Sequence, residues 1–203
     1  MGGGRRLLAG PKTASDWADS TYIDPMINYT LFDTVIGCAG LAWNEHGLVG
    51  VHLPEREPDR ARRGFERRFP GSAEAEPPAE LTPVIEGVRA LMRGEKADLS
   101  DAPLDLARVP AFNARVYAIA RRIPPGETLT YGEIATRLGD RLLARDVGTA
   151  LGQNPWPIVV PCHRVTAAGG KLGGFSAPGG ARTKLKLLAI EGAAAAAQAE
   201  LFG

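Results

Sequence analysis

The hydrophobic pattern of this chain changes period near residue 57, and that change constrains the fold more than any other feature. Residues 29–36, 40–43 and 48–53 are short apolar runs separated by breaks, the pattern of strands, and Asn44-Glu45-His46-Gly47 reads as the turn between the last two. Beyond residue 57 apolar positions recur at helical spacing. Ala61, Phe65 and Phe69 share one face of an arginine-rich stretch over 58–69. Leu81, Val84, Ile85, Val88, Leu91 and Met92 form an amphipathic stripe begun at Thr82-Pro83 and stopped at Gly94. Phe112, Val116, Ile119, Ala120 and Ile123 form another, ended by Pro124-Pro125-Gly126. The class is mixed α/β, of the α+β kind.

Punctuation divides the chain further. A Pro/Glu/Ala stretch over 71–78 reads as a linker, and residues 97–110, with few core candidates, as a join between domains. Thr130 begins a short helix over 131–138 with Glu133 placed for a capping box. Gly139-Asp140 breaks it, and a second short helix follows over 142–152, the spacing of a helix-turn-helix. A last helix over 184–190 is stopped by Gly192. The expected organisation is a flexible leader over 1–28, a unit over 29–108, a second over 109–192, and a fraying tail over 193–203.

Charge is unevenly placed. Residues 1–112 carry 13 Lys/Arg and 17 Asp/Glu, whereas residues 113–192 carry 11 and 5. A basic second half on a chain of net charge +1 suits a polyanionic partner, although solvated scatter has the same composition. No apolar run reaches the ~20 residues that span a bilayer, and the N-terminus lacks a secretory core. The expectation is a cytoplasmic protein with reduced Cys38 and Cys162, nucleoid-associated if bacterial.

The chemistry concentrates at Ile158-Val159-Val160-Pro161-Cys162-His163-Arg164-Val165, a cysteine beside a histidine behind an apolar run that reads as a strand. Cys162 is open to three readings. It is a buried structural thiol, a metal ligand with Cys38, His46, His52 and His163, or a nucleophile served by a base. The scattered spacing of the soft ligands disfavours a metal. On a regular strand adjacent side chains diverge, so His163 serves Cys162 only through a kink or a bridging water. A histidine base needs an orienting group. Glu191 is a candidate because it ends a helix, where the dipole disfavours a carboxylate. Asn154-Pro155 reads as a turn whose amide ties to the His163 loop.

Asn154-Pro-Trp-Pro-Ile-Val-Val-Pro-Cys-His-Arg-Val165, preceded by Ala144-Arg-Asp-Val-Gly148 and followed by Gly173-Gly-Phe-Ser176, resembles the 6-O-alkylguanine-DNA alkyltransferases, also called methylated-DNA–protein-cysteine methyltransferases. The likeness is strong over about 110–192 and looser over 29–93. It implies a ribonuclease-H-like sheet-and-helix domain followed by a winged helix-turn-helix-like domain that carries the acceptor. Cys162 then takes an alkyl group from oxygen-6 of guanine, or oxygen-4 of thymine, irreversibly and without a cofactor. His163 takes the thiol proton, Glu191 orients the ring and Asn154 braces the turn. Tyr131 donates to the leaving base, and the carbonyls of Cys162 and Val165 accept from its amino group. Ser176 faces oxygen-6 and Phe175 forms an apolar wall. Arg145 is the finger that fills the stack once the base is flipped, with Ala144 at the minor groove of double-stranded DNA. The resemblance also implies a monomer. Departures are Asp146 where relatives carry a small residue, Gly152 and Gln153 where some are basic, Phe175 in place of tyrosine, and a longer loop over 176–180.

Overall fold

The computed structural model describes residues 26–169 and 171–196. Three antiparallel strands open it: β1 (Asn28–Thr34), β2 (Gly37–Asn44) and β3 (Gly47–Glu55). The turn expected at 44–47 joins β2 to β3, with Asn44 paired to Gly47. A two-residue strand, β4 (Ala73–Glu74), lies parallel to β1 and completes the order β3-β2-β1-β4. The stretch over 71–78 is therefore more than a linker. Its peptides reach β1 through Ala73 N to Ile27 O and Ala75 N to Tyr29 O, at 3.2 and 2.9 Å.

Both faces of the sheet are covered. Helix α1 (Pro58–Arg68) lays Ala61 and Phe65 on one face, where the Phe65 ring stacks on Tyr29 at 5.2 Å. Phe32, Leu41, Trp43, Leu48 and Val51 point the other way, toward α2 (Thr82–Met92) and the second half of the chain. The span over 97–110, expected to hold few core residues, contributes two. Leu99 and Ala102 are buried, and Leu48 N donates to Pro103 O while Asp105 N donates to Leu48 O. Low apolar content hid this segment, because peptide hydrogen bonds along β3 hold it.

The second half contains α3 (Ala111–Ala120), α4 (Tyr131–Arg137), α5 (Ala144–Gly152) and α6 (Ala181–Ile190). Strands β5 (Leu129–Thr130) and β6 (Val165–Thr166) pair in parallel between them. The capping box forms: Glu133 N donates to Thr130 Oγ1 at 3.2 Å, and Thr130 N donates to Glu133 Oε2 at 2.6 Å. Helix α4 turns into α5 through Gly139-Asp140 and a 3-10 turn over Arg141–Leu143, so the second helix begins two residues later than its apolar pattern predicts. The last helix begins three residues earlier than expected, at Ala181, directly after Gly180.

One apolar core runs through both halves. Trp156 is its largest fully buried side chain. The indole packs edge-on against Tyr117 at 6.0 Å, and its Nε1 donates to Leu48 O at 2.7 Å. Val51 N donates to Pro155 O at 2.9 Å, so the segment leading to the cysteine is tied to β3. At the C-terminus Ala193 and Ala196 pack with Leu188, where fraying was expected; residues 197–203, like 1–25 of the leader, lie outside the described residues. Among the described residues no helix is long and apolar enough to cross a membrane.

Candidate active site

The apolar run before the cysteine is a buried turn and not the strand its composition suggests. Pro155, Pro157 and Pro161 withhold the amide donors a ladder needs. Ile158 adopts φ 76°, a left-handed conformation that a β-branched residue takes only when its surroundings impose it. Asn154 holds the turn shut. Its Oδ1 accepts from Trp156 N at 2.9 Å and its Nδ2 donates to Val160 O at 2.8 Å. Cys162–Arg164 then form a 3-10 turn, so successive side chains rotate about an axis and do not alternate across a strand. The kink required to bring an imidazole near the thiol is present in the backbone.

Three side chains behind the cysteine form a buried ionic group. His163 Nε2 lies 2.9 Å from Glu191 Oε1. Arg164 grips both oxygens of Glu191 at 2.8–3.2 Å and donates through Nη1 to Ile123 O at 2.6 Å. Burial raises the Glu191 carboxyl, but the hydrogen bonds of His163 and Arg164, the Arg164 charge and, once the ring protonates in acid, the His163 charge outweigh it and hold the group at about 2. Burial pushes the His163 imidazole below its ordinary value, with Glu191 opposing. The ring is therefore neutral near pH 7. An ionised Glu191 only accepts, so Nε2 carries the proton and Nδ1 keeps the lone pair. Nδ1 is buried and has no hydrogen-bond partner among the described residues, which leaves the basic nitrogen unengaged.

Cys162 is half-buried and, like Cys38, a free thiol. Burial holds its pKa above the ordinary value; the Asn154 amide, the Lys184 charge and the peptide N–H groups of Cys162 and His163 oppose the rise without cancelling it. Lys184 was not anticipated from sequence. It is fully buried in α6, with Nζ donating to Val165 O at 2.5 Å and to Gly174 O at 3.4 Å, and it sits 5.7 Å from the centre of the Tyr131 ring. Burial lowers its pKa to about 8. The signal was available: Lys184, Leu187, Leu188 and Glu191 fall on one helical face, so a lysine stands at a core position. Arg164 was missed as well, because nothing local to it reveals an acid 27 residues away.

The thiol opens into a cavity of about 580 Å³ lined by Tyr131, Ala144, Arg145, Gly148, Phe175 and Ser176 among others. Most of the residues proposed from sequence thus meet around one space. Burial raises the Tyr131 phenol, whose Oη donates to Gly174 O at 3.2 Å. Gly173 adopts φ 72°, and a Cβ there would lie 2.9 Å from Tyr131 Cε2, so only glycine fits. Arg145 is exposed at the rim. Two expected contacts are differently engaged. The Ser176 hydroxyl donates to Gly152 O at 2.9 Å, and the Val165 carbonyl already accepts from Lys184. A smaller cavity of about 250 Å³, walled by Asn154, Pro157, Phe175 and β3, also reaches Cys162. Larger cavities of about 710 and 800 Å³ lie elsewhere and are not lined by either cysteine. Among the described residues no group of three His, Cys, Asp or Glu side chains is placed to hold a metal.

Residues 111–193 match the family model of the 6-O-methylguanine DNA methyltransferase DNA-binding domain. The chain is 38% identical over 177 residues to a methylated-DNA–protein-cysteine methyltransferase of Mycolicibacterium paratuberculosis, covering 87% of this chain and 99% of that one. It is 40% identical over 154 residues to a DNA base-flipping protein of Thermus thermophilus, covering 76% and 95%. Among solved structures it matches Mycobacterium tuberculosis OGT in complex with DNA, with TM-score 0.63, 35% identity and coverage of 84% and 98%. The matched lengths take in the sheet as well as the cysteine loop and the buried His163–Glu191 pair, and on that footing the chain belongs to the family of methylated-DNA–protein-cysteine methyltransferases.

Proposed function

We propose that Cys162 accepts a methyl or other alkyl group from oxygen-6 of guanine in duplex DNA and keeps it, so that each molecule acts once. The observation that carries this reading is the thiol itself, at the wall of a cavity large enough to admit a nucleobase and directly followed by an imidazole oriented by Glu191. His163 Nδ1 takes the thiol proton, directly or through one water. The sulfur attacks the alkyl carbon, an S–C bond forms, and the C–O bond to guanine breaks. The electron pair passes into the purine, and Tyr131, turning from Gly174 O, gives its hydroxyl proton to the ring nitrogen. Lys184 favours the thiolate by charge. No cofactor enters, since the DNA is the donor. Oxygen-4 of thymine presents the same alkyl ether beside a ring nitrogen and is a second substrate under this reading.

A paired base is out of reach, so it must be flipped into the cavity. Ala144 and Gly148 give α5 a low profile suited to the minor groove, and Arg145 fills the vacated stack. The chain acts as a monomer, with a ribonuclease-H-like unit over 29–108 ahead of a helix-turn-helix unit over 109–192. Incubation with methylated duplex followed by intact-mass and peptide analysis tests the proposal: a gain of ~14 Da on Cys162 is expected, and none with Cys162→Ser, which should still bind DNA. The 40% identity to a base-flipping protein favours a second reading, binding without transfer. DNA binding by the parental protein with no mass gain would establish that reading instead.

A further inference from the structure

Leu142 is 86% exposed, more than any other large apolar side chain among the described residues. It lies in the 3-10 turn that runs directly into α5, three residues before Arg145. The turn is pinned. Asp140 Oδ1 accepts from Leu142 N at 2.8 Å, and Leu143 N donates to Asp140 O at 3.1 Å. Leu143 and Ala144 pack inward against the core, which leaves Leu142 and Arg145 facing out on the same edge. An apolar side chain held rigidly in water at that place is unexplained by packing.

The edge has no net charge to offer phosphates. Its exposed residues Asp140, Arg141, Leu142, Arg145, Asp146 and Thr149 carry two positive and two negative charges. Phosphate neutralisation alone therefore contributes little affinity from this edge. Proteins that open a minor groove commonly insert an apolar wedge between base steps, unstacking them. We infer that Leu142 is such a wedge: it enters the minor groove beside Arg145 and packs against sugar and base edges next to the extruded nucleotide. This rests on the alkyl-transfer reading above and adds a second groove-opening residue to it. Leu142 is a positioning residue, acting on the duplex and not on the reacting atoms.

The test compares two substrates, a duplex and a trinucleotide, each carrying O6-methylguanine. Transfer is timed for the parental protein, Leu142→Ala and Leu142→Lys, and folding is checked by thermal melting. Both variants should melt with the parent, transfer from the trinucleotide at the parental rate, and transfer from the duplex about tenfold more slowly. A 2-aminopurine beside the lesion should brighten on binding the parent and less on binding either variant. Parental duplex rates in Leu142→Ala, or faster transfer by Leu142→Lys, would overturn the wedge, the latter pointing to a phosphate contact. So would parental self-association in sedimentation that Leu142→Ala abolishes, since the leucine would then face a second copy. A parental protein that transfers from neither substrate defeats the alkyl-transfer reading itself.

Discussion

Lys184 Nζ lies 2.5 Å from the carbonyl oxygen of Val165, so a buried ammonium and the peptide three residues after the thiol are joined. The same lysine lowers the pKa of Cys162, and Cys162 raises that of the lysine. An ammonium beside a thiol favours the thiolate, the form that attacks. Lys184→Met should therefore raise the Cys162 pKa further and slow transfer about tenfold at neutral pH. Iodoacetamide labelling of Cys162 across pH measures the first effect. An unmoved labelling curve would leave Lys184 as a structural tie between β6 and the 173–175 loop. In the parental protein the benefit should fade above about pH 8, where Lys184 loses its proton.

Glu191 controls stability as well as the ring. Its folded pKa of about 2 lies below the ordinary 4.5. A depressed carboxyl stabilises the fold fully above its unfolded pKa, and that stability is lost as pH falls from about 4.5 toward 2. The difference corresponds to about 3 kcal/mol. Glu191→Gln should lower stability at pH 7 by about 3 kcal/mol or more, because it leaves Arg164 charged, buried and unpaired. It should also flatten the acid limb of the stability curve. Urea unfolding at pH 7 and pH 3 separates the two effects, and a variant as acid-sensitive as the parent would assign that limb to another group.

Gly173 sets the position of Tyr131. A Cβ would stand 2.9 Å from Cε2 and 3.0 Å from the hydroxyl, on a backbone at φ 72°. Gly173→Ala should cost about 1 kcal/mol of stability and slow transfer more than tenfold, since the phenol is displaced from the cavity wall. Tm and single-turnover rates measure both. A parental rate in a folded variant would show that Tyr131 is not needed where it stands.

Local chemistry was the legible part of the sequence. The capping box at Thr130 and Glu133 and the turn at 44–47 depend on neighbouring residues, so spacing alone located them. The Ile158-Val159-Val160 run misleads because its apolar content suits a strand, while the prolines on either side remove ladder donors and force a turn. The packing of Leu99 and Ala102 within 97–110 was hidden for the opposite reason, since peptide hydrogen bonds to Leu48 hold that segment with few side chains. The pairing of His163 with Glu191, 28 residues apart, has no periodic signature; a carboxylate at an unfavourable helix end hinted at it, and the likeness to a family gave it a role. Lys184 was readable in principle, but lysine in a helix is commonly taken for solvent-facing, and here its charge is useful because it is buried.

Asp146 separates folding from binding. It is exposed in the first turn of α5, where the positive end of the helix dipole favours an acid, so Asp146→Ala should cost about 0.5 kcal/mol of stability. The same carboxylate follows Arg145 on the edge that the proposed function turns toward DNA, where it would repel phosphates. The variant should thus be slightly less stable and yet bind duplex DNA about three- to tenfold more tightly at low salt. Added salt screens the repulsion, so the gain should shrink toward unity as the Debye length shortens. Fluorescence anisotropy at low and high salt, with a melting curve for each protein, reads both signs at once. Weaker binding by Asp146→Ala would mean that the carboxylate faces away from the phosphates or accepts a hydrogen bond from the DNA.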